Sequence, residues 1–173
     1  HLILLCENMT GYKNLIHMVS AAFSEGFYMK PRIDMELLRG HSEGLICMSA
    51  CLAGAIPRAI ANGNMDKAYE ICEEFLEIFD REHFYLEIQD HGIEEQKKVN
   101  EGLYQLAKEL NLELVATNDA HYLTRADART QDILMAIQMG KTVDDPTRMK
   151  FETQEFYIKD ADEMAALFPE HPE

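Results

Sequence analysis

The sequence contains no run of about 20 apolar residues, the length a helix needs to cross a bilayer. The apolar segment at residues 2–6 is too short for a signal peptide and lacks its basic flank. Neither membrane insertion nor secretion is expected, and a cytoplasmic location is the default. No glycine-rich phosphate loop is present, since Gly54 and Gly63 read as turn and cap positions, and there is no internal repeat or low-complexity linker. Basic residues are scarce: 16 Lys and Arg stand against 31 Asp and Glu, giving a formal charge of −15. Such a chain has little intrinsic affinity for a phosphate backbone. Binding nucleic acid would require metal cations, which reverse the local field, or basic domains elsewhere in a longer polypeptide. The four cysteines, Cys6, Cys47, Cys51 and Cys72, follow no regular pairing pattern and are expected to be reduced thiols, with Cys47 and Cys72 in the core.

What is present fits one globular domain: 173 residues, 47% hydrophobic and 27% charged. The chain opens on His1 directly before an apolar segment, so the natural start is expected upstream. Short β-like runs alternate with amphipathic helices, which predicts an α/β fold. Strands are expected at residues 2–6, 44–48, 83–89 and 112–117, with a shorter β-like run at 156–158. Helices are expected at about 12–23, with Leu15, Val19, Ala22 and Phe23 on the buried face, and near 54–61. The clearest helix follows Asn64 as N-cap and carries Met65, Ala68, Tyr69, Cys72, Phe75, Leu76 and Phe79 at the spacing of one stripe. Another, about 93–110, buries Val99, Leu103, Leu106, Ala107 and Leu110 and ends at Asn111 in the left-handed C′ position. Further helices are expected at 126–138 and 160–167, and Pro169 and Pro172 mark an exit from the domain. Strands each followed by a helix build a parallel sheet, whose functional residues gather at the C-terminal strand ends.

Those strand ends carry the candidate chemistry. Asp119 and His121 follow the strand at 112–117, and two residues apart in extended backbone their side chains point to the same side. A carboxylate and an imidazole held together suit Zn, Mn or Fe. The alternative is that Asp119 caps a turn while His121 packs beside Tyr122. Cys51 stands three residues beyond the strand at 44–48, where it is either a thiolate ligand or a small buried hydrophobe. His91, in Gln89-Asp90-His91-Gly92, is a strand-end histidine in ordinary turn chemistry. His17, His41 and His171 are assigned no role.

Taken together, the segments His1-Leu-Ile-Leu-Leu-Cys, Gly11-Tyr-Lys-Asn-Leu, Lys30-Pro-Arg-Ile-Asp, Ser49-Ala-Cys-Leu-Ala-Gly, Tyr85-Leu-Glu-Ile-Gln-Asp-His-Gly, Ala116-Thr-Asn-Asp-Ala-His-Tyr and Gly140-Lys-Thr-Val-Asp-Asp-Pro closely resemble, in order and from end to end, the PHP (polymerase and histidinol phosphatase) domain of bacterial DNA polymerase III alpha subunits. The resemblance implies part of a distorted, TIM-like (β/α)7 barrel that lacks its first strands. Residues 1–173 would then be the C-terminal part of a PHP domain, with about 141–173 leading toward the polymerase core. It also implies a cluster of divalent metal ions, with His1, Cys51, Asp119 and His121 falling on ligand positions. Earlier ligands, including an H-x-H pair, would precede His1.

The implied activity is metal-dependent 3′-to-5′ removal of nucleotides, proofreading within a DNA-directed DNA polymerase, with Asp119 and His121 at the catalytic metal. Polymerisation itself would lie further along the parent chain. DNA, reached through that parent, and the other replisome subunits are the expected partners, and the excised piece is expected to be inactive. A rival reading is a catalytically silent module serving polymerase stability and binding of a separate proofreading subunit. A stand-alone PHP phosphoesterase is a third.

Overall fold

The computed structural model describes residues 1–171; Pro172, expected to mark the exit from the domain, and Glu173 lie outside the described residues. The chain divides into two compact units, the first made of His1–Glu87 and Glu101–Val115, the second of Ile88–Asn100 and Ala116–Glu173. The fold is mixed α/β. In chain order the elements are β1 (Ile3–Cys6), α1 (Met9–Ser24), α2 (Met35–Gly40), β2 (Leu45–Met48), α3 (Ala55–Ala61), α4 (Met65–Ile78), β3 (Phe84–Ile88), α5 (Glu94–Leu110) and β4 (Glu113–Ala116). A 3₁₀ turn (Arg125–Asp127), α6 (Ala128–Gln138) and α7 (Ala161–Leu167) follow. No helix among the described residues is long and apolar enough to cross a membrane.

The sheet has the order β1-β2-β3-β4. Strands β2 and β3 run parallel, with Cys47 opposite Phe84 and Met48 opposite Tyr85. Strand β1 departs from the expected parallel sheet and pairs antiparallel to β2, from Ile3 opposite Met48 to Cys6 opposite Leu45. The reason is α2, a helix that the hydrophobic pattern did not announce. With it the 7–44 connection makes an additional pass, so β2 begins where β1 ends, and the Glu7 N–H donates to the Gly44 carbonyl at 2.9 Å. Asp34 caps α2 by accepting from the Leu37 N–H at 2.8 Å.

In the first unit the core forms where β2 and β3 meet α4. Phe84, Leu86, Leu45, Cys47, Ala68 and Cys72 are all at most 1% exposed, and the Phe75 and Phe84 rings lie 5.4 Å apart. Burying a side chain the size of Phe84 contributes about 1.5–3 kcal/mol. Burial pushes the Cys72 thiol up to about 12, with a smaller contribution from Glu73, and pushes Cys47 higher still. Asn64 caps α4 as expected, accepting from Lys67 N–H at 3.1 Å. Asn111 ends α5 in the left-handed region at φ 52°.

Helix α1 buries only part of the face expected, with Ala22 buried and Leu15 half-buried. Gly11, Met18 and Ala22 are buried, whereas Val19 and Phe23 are 48% and 62% exposed. The close approach of Gly11 to the Gly44 backbone fixes the rotation of the helix, overriding the wider apolar stripe. In β3 the sequence alternates Phe84, Leu86 and Ile88 with Tyr85 and Glu87, yet Glu87 is buried along with Leu86 and Ile88. A strand covered on both faces does not show a period of two in its burial.

In the second unit, α6 is tied to the 142–149 segment by Arg148, whose guanidinium grips Asp132 through two hydrogen bonds of 2.5 and 2.8 Å. That bond holds the Asp132 carboxyl below the usual carboxylate range, with smaller contributions from the charges of Arg148, Arg129 and Lys150. The β-like run at 156–158 is a single parallel bridge between Tyr157 and Tyr122. Helix α7 begins at Asp160, which forms a capping box with Glu163.

Candidate metal centre

In the first unit, β2 delivers the chain into a tight loop at 49–54. Ser49 is held on both sides: its N–H donates to the Tyr85 carbonyl at 3.1 Å and its hydroxyl accepts from the Glu87 N–H at 2.8 Å. Ala50 then adopts φ 65°, in a region that non-glycine residues seldom occupy. The loop closes when the Gly54 N–H donates to the Cys51 carbonyl at 2.7 Å. A side chain at Gly54 would lie 2.2 Å from the Ser49 carbonyl oxygen, so the loop admits only glycine there. The consequence is a half-buried Cys51 whose Sγ lies 3.9 Å from Nδ1 of His1. His1 is positioned by its main-chain nitrogen, which donates to the Ala53 carbonyl at 3.2 Å.

In the second unit, the Thr117 N–H donates to the Ile88 carbonyl at 3.1 Å, and the chain then turns through Asn118 and Asp119. Asp119 has φ 42°, a conformation that aspartate and asparagine tolerate better than other side chains do. Its Oδ1 lies 3.5 Å from Nε2 of His121, and both side chains are more than a third exposed. The His121 N–H donates to the Phe156 carbonyl at 2.8 Å. Its ring packs against Phe151 at 4.8 Å and edge-on to Phe156 at 5.8 Å, so aromatic neighbours from the 151–156 segment set its orientation. Asp119 makes no helix cap; the downstream 3₁₀ turn is capped from Thr124.

The donor chemistry of both pairs fits a divalent cation. Ligands at about 2.0–2.3 Å from a tetrahedral metal stand roughly 3.3–3.8 Å apart. The Asp119–His121 separation of 3.5 Å falls in that range and the His1–Cys51 separation of 3.9 Å lies just above it. Among the described residues, no group of three or more His, Cys, Asp or Glu side chains is gathered for metal binding. Each unit thus brings together two of the four expected ligands.

A PHP domain family model matches residues 1–91, more than half of the sequence. The chain belongs to the PHP domain family. Relatives extend the likeness over this PHP chain from end to end. The DNA polymerase III subunit alpha of Treponema pallidum (strain Nichols) is 47% identical over 173 residues, covering 100% of this chain and 15% of that protein. The protein of the same name from Thermus aquaticus is 49% identical over 170 residues, covering 98% and 14%. That of Borreliella burgdorferi is 48% identical over 173 residues, covering 100% and 15%. The PHP chain thus spans about 15% of the length of the relatives it matches, and the resemblance read from its ordered motifs holds over its whole length.

One residue of this PHP chain was passed over in the sequence as turn chemistry. His91 is 1% exposed, stacks on Phe156 with ring centroids 4.1 Å apart, and bonds to the turn that carries Asp119. The pattern around it, a strand-end histidine followed by Gly92 and by Gln96 at the start of α5, was the available signal.

Proposed function

We propose that this chain is the PHP part of a DNA polymerase III alpha subunit acting in DNA replication, and that His1, Cys51, Asp119 and His121 are ligands of divalent metal ions supporting 3′-to-5′ exonuclease proofreading. The observation that carries the reading is the spacing of Asp119 and His121, 3.5 Å apart on a turn of left-handed backbone, in a chain that aligns over its full length with alpha subunits. Strained backbone beside both donor pairs, at Ala50 and at Asp119, adds support, because such conformations concentrate at functional sites.

In this reading Asp119 and His121 hold a cation at the reacting phosphodiester, with zinc, manganese and iron the metals that suit the donors. His1 and Cys51 supply a nitrogen and a sulfur donor. Bound cations supply charge stabilisation and a water of lowered pKa. The aromatic packing of Phe151 and Phe156 keeps the His121 ring from rotating away from Asp119. The charge of −15 assigns the grip on DNA to the metal ions and to other parts of the parent polymerase, which would also bring the chain among the other replisome subunits. The sheet belongs to a distorted (β/α)7 barrel, and residues 141–173 lead toward the polymerase core.

The same acidity favours a second reading, a catalytically silent module that stabilises the polymerase and docks a separate proofreading subunit. Replacing Asp119 by Asn in the full-length polymerase, freed of other nucleases, separates the two. Loss of metal-dependent excision from a mismatched primer, with polymerisation intact, supports the first. Unchanged excision overturns it, and absence of excision in the unsubstituted protein leaves the second.

A further inference from the structure

The protonation of the His91 ring can be read from its partners. The His91 main-chain N–H donates to Oε1 of Gln96 at 2.8 Å. A peptide N–H only donates, so the Gln96 oxygen must face it, and the Gln96 amide nitrogen then faces the ring. That nitrogen lies 2.7 Å from Nδ1 of His91 and also only donates, which makes Nδ1 an acceptor. The proton of the neutral ring is therefore on Nε2, and Nε2 lies 2.7 Å from the Asn118 carbonyl oxygen, which only accepts. Both ends demand the same tautomer. With one ring face on Phe156 and both nitrogens occupied, His91 has no atom left to bind a metal or relay a proton.

What this ring holds is the peptide between Asn118 and Asp119. The Asn118 side chain is fixed as well: its amide donates to the Tyr157 carbonyl at 2.6 Å and its oxygen accepts from Lys159 Nζ at 3.4 Å. Thr153 closes the frame, its hydroxyl donating to the His91 carbonyl at 2.6 Å. The strained residue that follows, Asp119, is thus entered from a clamped peptide.

We infer that His91, locked by Gln96 as the Nε2–H tautomer, is a positioning residue that fixes the Asn118 carbonyl and thereby holds Asp119 and His121 at ligand spacing. The functional half of this inference rests on the reading of that pair as metal ligands. The structural half does not.

The test uses the full-length polypeptide with His91→Gln, His91→Asn and Asp119→Asn. A glutamine amide nitrogen occupies the place of Nε2 and can still donate to Asn118; an asparagine amide stops at the place of Nδ1. Two readouts are taken: Mn²⁺ affinity by electron paramagnetic resonance at the sites that Asp119→Asn removes, and hydrogen exchange of the peptide spanning residues 116–123. His91→Asn is expected to weaken Mn²⁺ binding about tenfold or more, the lower end of the effect typical of groups that orient metal ligands, and to speed exchange in that peptide. His91→Gln is expected to stay within about threefold of the parent in affinity, since it keeps the one donor at issue. If His91→Asn does not fold, Gln96→Met replaces it, with the same local loosening expected. Parent-like exchange in the loss variant overturns the inference, and so does faster exchange without weaker binding. If Asp119→Asn leaves Mn²⁺ binding unchanged, the metal reading falls, and exchange alone decides whether His91 holds the turn.

Discussion

Gly11 and Gly44 meet backbone to backbone: a methyl carbon built on Gly11 would lie 1.8 Å from the Gly44 carbonyl oxygen. Asn8, the N-cap of α1, accepts from the N–H groups of Thr10 and Gly11 at 2.9 and 3.1 Å, and its Oδ1 would lie 2.4 Å from a methyl carbon built on Gly44. The obstacle is main chain, which cannot swing aside. Gly11→Ala is expected to destabilise by about 1–3 kcal/mol through overpacking, measured by thermal unfolding. Gly40, at the end of α2 with nothing within 4 Å of its would-be methyl, is the control: Gly40→Ala should stabilise by about 0.4–1 kcal/mol.

The rotation of α1 makes a second prediction. Met18 is 1% exposed and Val19 48%. Met18→Ala should cost about 2–5 kcal/mol, the range for emptying a core site. Val19→Ala should stay within about 0.5 kcal/mol of the parent. Chemical denaturation of the two variants reads the difference directly, and equal losses would return the helix to the orientation its sequence pattern favours.

His83 is the group whose titration reports its neighbourhood. Its bond to Asp80, 2.7 Å long, raises its pKa above 6.5, with smaller help from the charges of Asp80, Glu7 and Glu82. The same bond lowers Asp80 below 3.8, with smaller contributions from the Glu82 backbone and the His83 charge. The histidine contribution to stability is fully present below pH 6.5 and disappears as pH rises through the raised value. The aspartate contribution is present above 3.8 and disappears as pH falls through its lowered value. Asp80→Asn should shift the His83 ring titration, followed by NMR, down toward 6.5.

Thiol reactivity separates the four cysteines. Cys47 and Cys72 are buried, Cys6 is exposed and Cys51 is half-buried. In the native protein an alkylating reagent should modify Cys6 and Cys51 and spare the other two, because the thiolate is the reactive form. Zn²⁺ should slow labelling of Cys51 and leave Cys6 unchanged, read by peptide mass spectrometry. Equal protection of both would mean that the metal acts elsewhere.

Much of this was legible in the sequence, and the rest failed for identifiable reasons. The stripe of α4, the Asn64 cap and the left-handed Asn111 are local matters, decided within a few residues, and they stand where the pattern put them. Helix α2 is six residues long, too short to show a period, and without it the antiparallel pairing of β1 was not foreseeable. The buried face of α1 depends on Gly44, 33 positions beyond Gly11. Asp119 and His121 were paired on the expectation of extended backbone; the two side chains do lie 3.5 Å apart, but across a turn with Asp119 in the left-handed region. The packing of His121 on Phe151 and Phe156 lay beyond local pattern. His91 was discounted because its partners, Gln96 and Asn118, lie five and 27 residues away.

The left-handed backbone at Asp119 sets a rule for anyone who edits that position. Asparagine shares the aspartate tolerance for such torsions, so it erases the charge while the chain keeps its path. Alanine, glutamate or a branched residue would change the path and the charge together, and an inactive variant of that kind would report a displaced loop as readily as a missing ligand.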